Sequence, residues 1–230
     1  MIHYHGTPLS PISALLTMAG KHFCVSYARP DDAERCLQIA QSIMYDNGAF
    51  SAYSKGYELD LKGYCAWLES RLGHPHWAII PDVIDGTEEE NYNMIKNWPH
   101  RKDLSAVVWH MADSIDYLHK LIDSGYSKIC FGSSGEYWKV GSPKWEERCD
   151  EAFNSIAKNG QVPYIHMLRG LNMAGKRWPF ASADSVNVAR NFKDKGKYKD
   201  PEKMARAIDS VQTPVLWNEN LTNPIQENLF

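Results

Sequence analysis

The chain has little of what marks a secreted, membrane-spanning or generically polyanion-binding protein. Its net charge is −3 over 230 residues, so no global positive field draws in nucleic acid, and any such contact has to come from a local patch. The five cysteines, Cys24, Cys36, Cys65, Cys130 and Cys149, are odd in number, widely spaced and never paired as CxxC. That argues against a disulfide framework and against a zinc subdomain. No run of ~18 uninterrupted apolar residues occurs, and the polar opening His3-Tyr4-His5 is unlike a signal peptide, so the expectation is a cytoplasmic protein with no membrane partner. No GxGxxG follows the first candidate strand, and GxxxxGK[ST] and HExxH are absent. The usual glycine-rich phosphate cradles and a common zinc-binding helix are therefore missing, and neither a cofactor nor a metal is expected.

What is present is a core-forming composition: 43% hydrophobic and 12% aromatic residues, with eight Trp and twelve Tyr. Side chains of this kind leave too much apolar surface in water unless the chain folds, and the length suits one domain over residues 1–230. Short apolar or β-branched runs recur at the spacing of βα units: Phe23 to Ala28, Ser42 to Tyr45, Trp77 to Ile80, Ala106 to Trp109, Lys128 to Phe131, Pro163 to Met167, Phe180 to Ala183 and Pro214 to Trp217. Between them, Asp31 to Gln41, Leu59 to Leu72, Asp113 to Ser124 and Pro143 to Lys158 carry apolar residues at helical spacing. Eight such units predict a minimal TIM-like (β/α)8 barrel of the α/β class, with an open doubly wound sheet as the alternative. The Lys- and Asp-rich stretch Asn191 to Lys203 reads as an exposed loop leading into the last helix.

Polar clusters follow the C-terminal ends of the candidate strands: Asp46-Asn47-Gly48-Ala49-Phe50, Pro81 to Gly86 with Asp82 and Asp85, His110, Gly132 to Glu136, His166 to Arg169, and Asp184-Ser185. A barrel aims strand ends at one mouth, which is where barrels carry their chemistry. Singly, each cluster also reads as local structure: Asp46 and Asp85 as turn formers, Gly132 to Gly135 as a flexible loop, and Asp184 as a helix N-cap.

The order of these motifs resembles the tRNA-guanine transglycosylase superfamily, and more closely its small phage-type relatives that place 7-deazaguanine bases in DNA. Asp46-Asn47-Gly48-Ala49-Phe50 is similar to the family's DSGGF-like segment. Gly132-Ser133-Ser134-Gly135-Glu136 is similar to its GGxxxGE loop, and Ala183-Asp184-Ser185-Val186-Asn187-Val188-Ala189-Arg190 to its FDSxxPTRxAR-like segment. His5-Gly6-Thr7-Pro8-Leu9 looks like the phage branch, so the resemblance spans roughly residues 5 to 191. The chain departs from the tRNA enzymes in lacking their cysteine-rich zinc site, and His110-Met111 stands where they have a glutamine-containing strand end.

The resemblance implies cleavage of the N-glycosidic bond of a base in nucleic acid, DNA rather than tRNA. The outcome is either excision of a modified base or exchange for a free 7-deazaguanine base. It implies that Asp184 attacks or stabilises the sugar, that Asp46 is the acid/base group, and that Asp82 meets the edge of a base. This chemistry builds positive charge on the sugar and negative charge on the base, which suits two carboxylates with divided roles.

Further base-binding candidates are the backbone of Gly132, Ser133 and Ser134, with Glu136, His110, His166 and Arg169. Lys176, Arg177, Arg190 and Lys193, with Lys195, Lys197 and Lys199, are candidates for the nucleic-acid backbone. Tyr137, Trp138 and Trp178 are candidates for stacking on an extruded base. Two other classes stay open: a non-catalytic nucleic-acid- or protein-binding barrel, and a metal-dependent barrel hydrolase using Asp46, Asp82, His110 and His166 as ligands. Oligomeric state is not legible in the sequence.

Overall fold

The computed structural model describes residues 1–160, 162–193 and 199–217. Eight parallel strands close into a barrel in sequence order: β1 (Ile2–Gly6), β2 (His22–Ser26), β3 (Ser42–Asp46), β4 (Trp77–Ile79), β5 (Ser105–His110), β6 (Lys128–Gly132), β7 (Ile165–Met167) and β8 (Ser182–Ser185). The ring is sealed by β1 against β8, with Ile2 opposite Ser182 and His5 opposite Ser185. The (β/α)8 barrel is thus the fold of the chain, as the recurrence of short apolar runs leads one to expect.

Strand residues alternate between two packed environments. Tyr4, Cys24, Met44, Trp77, Ile79, Ala106, Val108 and Cys130 form the barrel interior. Their neighbours along the strands, such as Phe23, Val25, Ile43, Val107, Trp109, Ile129 and Phe131, pack against the outer helices. Strands covered on both faces read as nearly continuous apolar runs, and seven of the eight overlap a run recognisable without a structure.

The surrounding helices are α1 (Ile12–Leu16), α2 (Ala33–Ile39), α3 (Ala49–Lys55), α4 (Leu61–Glu69), α5 (Glu88–Lys96), α6 (Ile115–Asp123), α7 (Pro143–Asn159), α8 (Asn187–Asn191) and α9 (Pro201–Asp209). In α7, Trp145, Cys149, Ala152, Phe153 and Ile156 are buried, a stripe at helical period that faces the strands. Burial of Phe153 and of Ile156 contributes about 1.5–3 kcal/mol apiece. Ser142 caps this helix by accepting from Trp145 N–H, with Pro143 at its first position, where a missing N–H costs nothing. A capping box between Thr87 and Glu90 starts α5.

Two strand assignments differ from the sequence reading. Residues 214–217 form no strand: β8 pairs directly with β1, which leaves no edge for them, and Trp217 instead donates to Asn154 at 2.8 Å and packs on Phe153. The first strand is Ile2–Gly6, disguised by His3 and His5, which are buried facing α9 rather than exposed. Strand β8 also starts two residues later than Phe180, so Asp184 and Ser185 lie within it. Among the described residues no helix is long and apolar enough to cross a membrane.

Candidate active site

The C-terminal mouth of the barrel collects carboxylates from widely separated parts of the chain. Asp46 ends β3 and is turned back by Asn47-Gly48. Gly48 sits at φ 79°, its N–H donates to Asp46 Oδ2 at 3.2 Å, and a Cβ there would lie 3.1 Å from Ala28. Glycine alone makes this turn without strain. The local turn role foreseen for Asp46 is therefore real, and it coexists with a position at the mouth. Burial raises the pKa of Asp46 above the ordinary carboxylate value, and the nearby charges of Asp184 and Asp82 push the same way. The Ser26 hydroxyl and the Gly48 N–H pull against them.

Asp184 is not a helix cap. Its Oδ1 accepts from the Arg169 backbone N–H at 2.8 Å and from His166 Nε2 at 3.3 Å, while Oδ2 has no protein partner among the described residues. His166 is completely buried, and its other nitrogen, Nδ1, is 2.7 Å from the Ser182 hydroxyl. For an ionised Asp184 this chain fixes the tautomer: Nε2 carries the proton and Nδ1 accepts from Ser182. The result is a carboxylate held through one oxygen, with the other unengaged among the described residues.

Asp82 and His110 form a second anchored pair. His110 Nε2 lies 2.8 Å from Asp82 Oδ2, and Asn47 Nδ2 donates to Asp82 Oδ1 at 3.1 Å and to Ile80 O at 3.0 Å. Burial disfavours a charged His110, but the bond to Asp82 and the charges of Asp82, Asp113 and Asp85 outweigh it and raise its pKa. Gly132 makes room for the ring, since a Cβ there would lie 3.2 Å from His110 Cδ2. Asn47, Ser26 and Ser182 act here through hydrogen bonds to residues far along the chain, which no local pattern announces, whereas Asp113 accepts from the His110 N–H three residues away.

The loop after β6 is tied down by its side chains: Ser133 accepts from Trp145 Nε1 at 3.0 Å, and Ser134 from Ala112 N–H at 3.1 Å. The N–H groups of Ser133, Ser134 and Gly135 donate to no protein group among the described residues. Glu136 is exposed and paired with Lys144 at 2.5 Å, outside the carboxylate cluster. Trp138 is 70% exposed, Tyr137 lies under the Arg148 guanidinium, and Trp178 is buried in the core with its indole N–H on Asp150. Trp178 is thereby removed from the stacking candidates.

Of the cationic candidates, Arg177 is half-buried and engaged by Asp150 on α7, so it is committed to holding the loop. Lys176, Arg190, Lys193 and Lys199 are exposed; Lys195 and Lys197 lie outside the described residues. Asp46, Asp82, His110 and His166 do not converge as a ligand set. They divide into the His110–Asp82 and His166–Asp184 pairs with Asp46 between, and among the described residues no group of three or more His, Cys, Asp or Glu is disposed to hold a metal ion. The His-x-His spacing of His3 and His5 feeds the outer layer at Asp209 rather than the mouth.

No family model, curated protein or solved structure matches the chain.

Proposed function

We propose that the protein cleaves the N-glycosidic bond between a base and its sugar in nucleic acid, with DNA preferred over tRNA. The observation that carries this reading is the pair of carboxylates at one mouth in different settings: burial raises the pKa of Asp46, and Asp184 is held through Oδ1 while its Oδ2 meets no protein donor among the described residues. The raised pKa suits Asp46 to the role of proton donor, and the unengaged oxygen suits Asp184 to meeting the sugar.

In the proposed reaction Asp184 Oδ2 bonds to, or stabilises charge at, the anomeric carbon as the C–N bond breaks. The bonding pair leaves with the base, and Asp46 delivers a proton to it. Asp46, now ionised, takes a proton from the incoming acceptor, which displaces Asp184 from the sugar. Water as acceptor leaves an abasic site; a free 7-deazaguanine base gives exchange. The His110–Asp82 pair and the N–H groups after β6 face the base. DNA is preferred because the chain has no cysteine-rich zinc module.

The test supplies single-stranded DNA, duplex DNA and tRNA, with and without modified bases and free 7-deazaguanine, and follows released base by mass spectrometry and strand breakage by alkali. Alkali-labile DNA without added base means excision, and base incorporation with intact strands means exchange. Release confined to tRNA overturns the DNA preference. No release from any substrate overturns the reading and leaves a binding barrel in its place.

A further inference from the structure

We propose that the Arg169 side chain is the phosphate contact for the target nucleotide, stored on Phe50 across the barrel mouth while the protein is free. This rests on the mouth acting on DNA. Phe50 lies in α3, which two residues separate from the end of β3, and Arg169 stands two residues past the end of β7; these strands stand four positions apart in a ring of eight, on opposite sides. Yet the Arg169 guanidinium lies 3.6 Å from the centroid of the Phe50 ring. Both residues are exposed, so the contact bridges the opening on the solvent side of the carboxylates.

Three features mark this arginine as held for a ligand. It makes no ion pair and no side-chain hydrogen bond among the described residues, whereas Arg29, Arg148 and Arg177 are engaged by Asp31, by Met111 O with Glu151, and by Asp150. Its backbone stands at φ 57°, the one non-glycine residue in the left-handed region among those described. An L-residue there costs roughly 1–2 kcal/mol that glycine would not, so the side chain is kept against a backbone preference for none. The same residue's N–H holds Asp184, which places the side chain beside the sugar that Asp184 would meet.

The chemistry of the mouth calls for such a group. Asp82, Asp113 and Asp184 make the floor acidic, and a phosphodiester approaching it is repelled unless a cation meets it at the rim. A guanidinium stacked on an aromatic face keeps its N–H edge free for bidentate contact with phosphate. On substrate entry it exchanges the ring for the phosphate next to the target sugar, and the Phe50 ring is uncovered.

Arg169→Gly isolates the side chain, because glycine keeps both the left-handed backbone and the N–H to Asp184. Binding of a single-stranded DNA oligonucleotide is measured by fluorescence anisotropy across a salt series, alongside base release. The expected result is a Kd raised about tenfold at physiological salt, as loss of one charge-assisted bond implies. The slope of log K against log[salt] should become shallower by about 0.7, one phosphate fewer. Arg169→Lys should restore most of the slope, and Lys158→Ala on the outside of α7 should change neither quantity. Equal slopes and affinities for wild type and Arg169→Gly, with base still released by the wild type, overturn this inference and leave the proposed function standing. A wild type that neither binds DNA nor releases base overturns both.

Discussion

Acidification should expose a specific weakness in the outer layer of the barrel. His3, on β1, is buried against α9 with neither ring nitrogen hydrogen-bonded, and the nearest carboxylate oxygen, on Asp209, is 3.7 Å away. Burial lowers its pKa from 6.5 to about 4, against the opposing attraction of Asp209. Between those values the unfolded chain takes a proton that the folded chain refuses. Stability is therefore lost as pH falls from 6.5 toward 4, and the loss levels off below. At about 1.4 kcal/mol per pH unit, that window is worth about 3 kcal/mol, or about 6–12 °C of thermal midpoint for a chain of this size.

His22, His76 and His100 are shifted in the same direction, so the difference between wild type and His3→Leu isolates the residue. Urea unfolding of both proteins at a series of pH values should show the wild type losing about 3 kcal/mol more than the variant across the window. Parallel curves would refute the assignment of a buried, neutral His3.

Three further outcomes follow from the mouth. His166→Leu removes a donor from Asp184 and orphans the Ser182 hydroxyl, so the base-release rate should fall roughly 10- to 100-fold; a variant with wild-type kcat removes His166 from the positioning of Asp184. Gly170→Ala places a Cβ 2.0 Å from Met167 Cγ and 2.6 Å from its Cβ, so it should cost about 1–3 kcal/mol in denaturant unfolding and displace the Arg169 N–H; an unchanged midpoint contradicts the close approach. Since the pKa of Asp46 is raised and its protonated form is the proposed donor, single-turnover base release should decline on the alkaline side of its pH profile in the wild type, and a profile with no alkaline decline contradicts the acid role.

The sequence shows the barrel because each βα unit writes itself locally: an apolar run covered on both faces, then a stripe such as Trp145–Cys149–Ala152–Phe153–Ile156. It conceals β1 because the histidines at positions 3 and 5 look solvent-seeking until α9 covers them. It suggests a strand at 214–217 because Val215, Leu216 and Trp217 are apolar, although only ring closure decides which segment seals the barrel.

The same division runs through the candidate site. Asp46, Asp82, His110, His166 and Asp184 are recognisable from their place at strand ends. Their pairing is not, since His110 meets Asp82 across 28 residues and His166 meets Asp184 across 18. The engagement of Arg177 and Trp178 by Asp150, and the reach of Arg169 to Phe50, belong to tertiary structure alone.

The central claim, that Asp46 and Asp184 divide an N-glycosidic cleavage between them, is tested most directly by Asp46→Asn and Asp184→Asn. Both variants are assayed for released base under single-turnover conditions on whichever nucleic acid the wild type cleaves, with thermal midpoints measured alongside. Loss of base release by at least about a hundredfold in each, with midpoints close to wild type, is the expected result. Release at the wild-type rate by either variant, or loss of release only where the variant has also unfolded, contradicts the account.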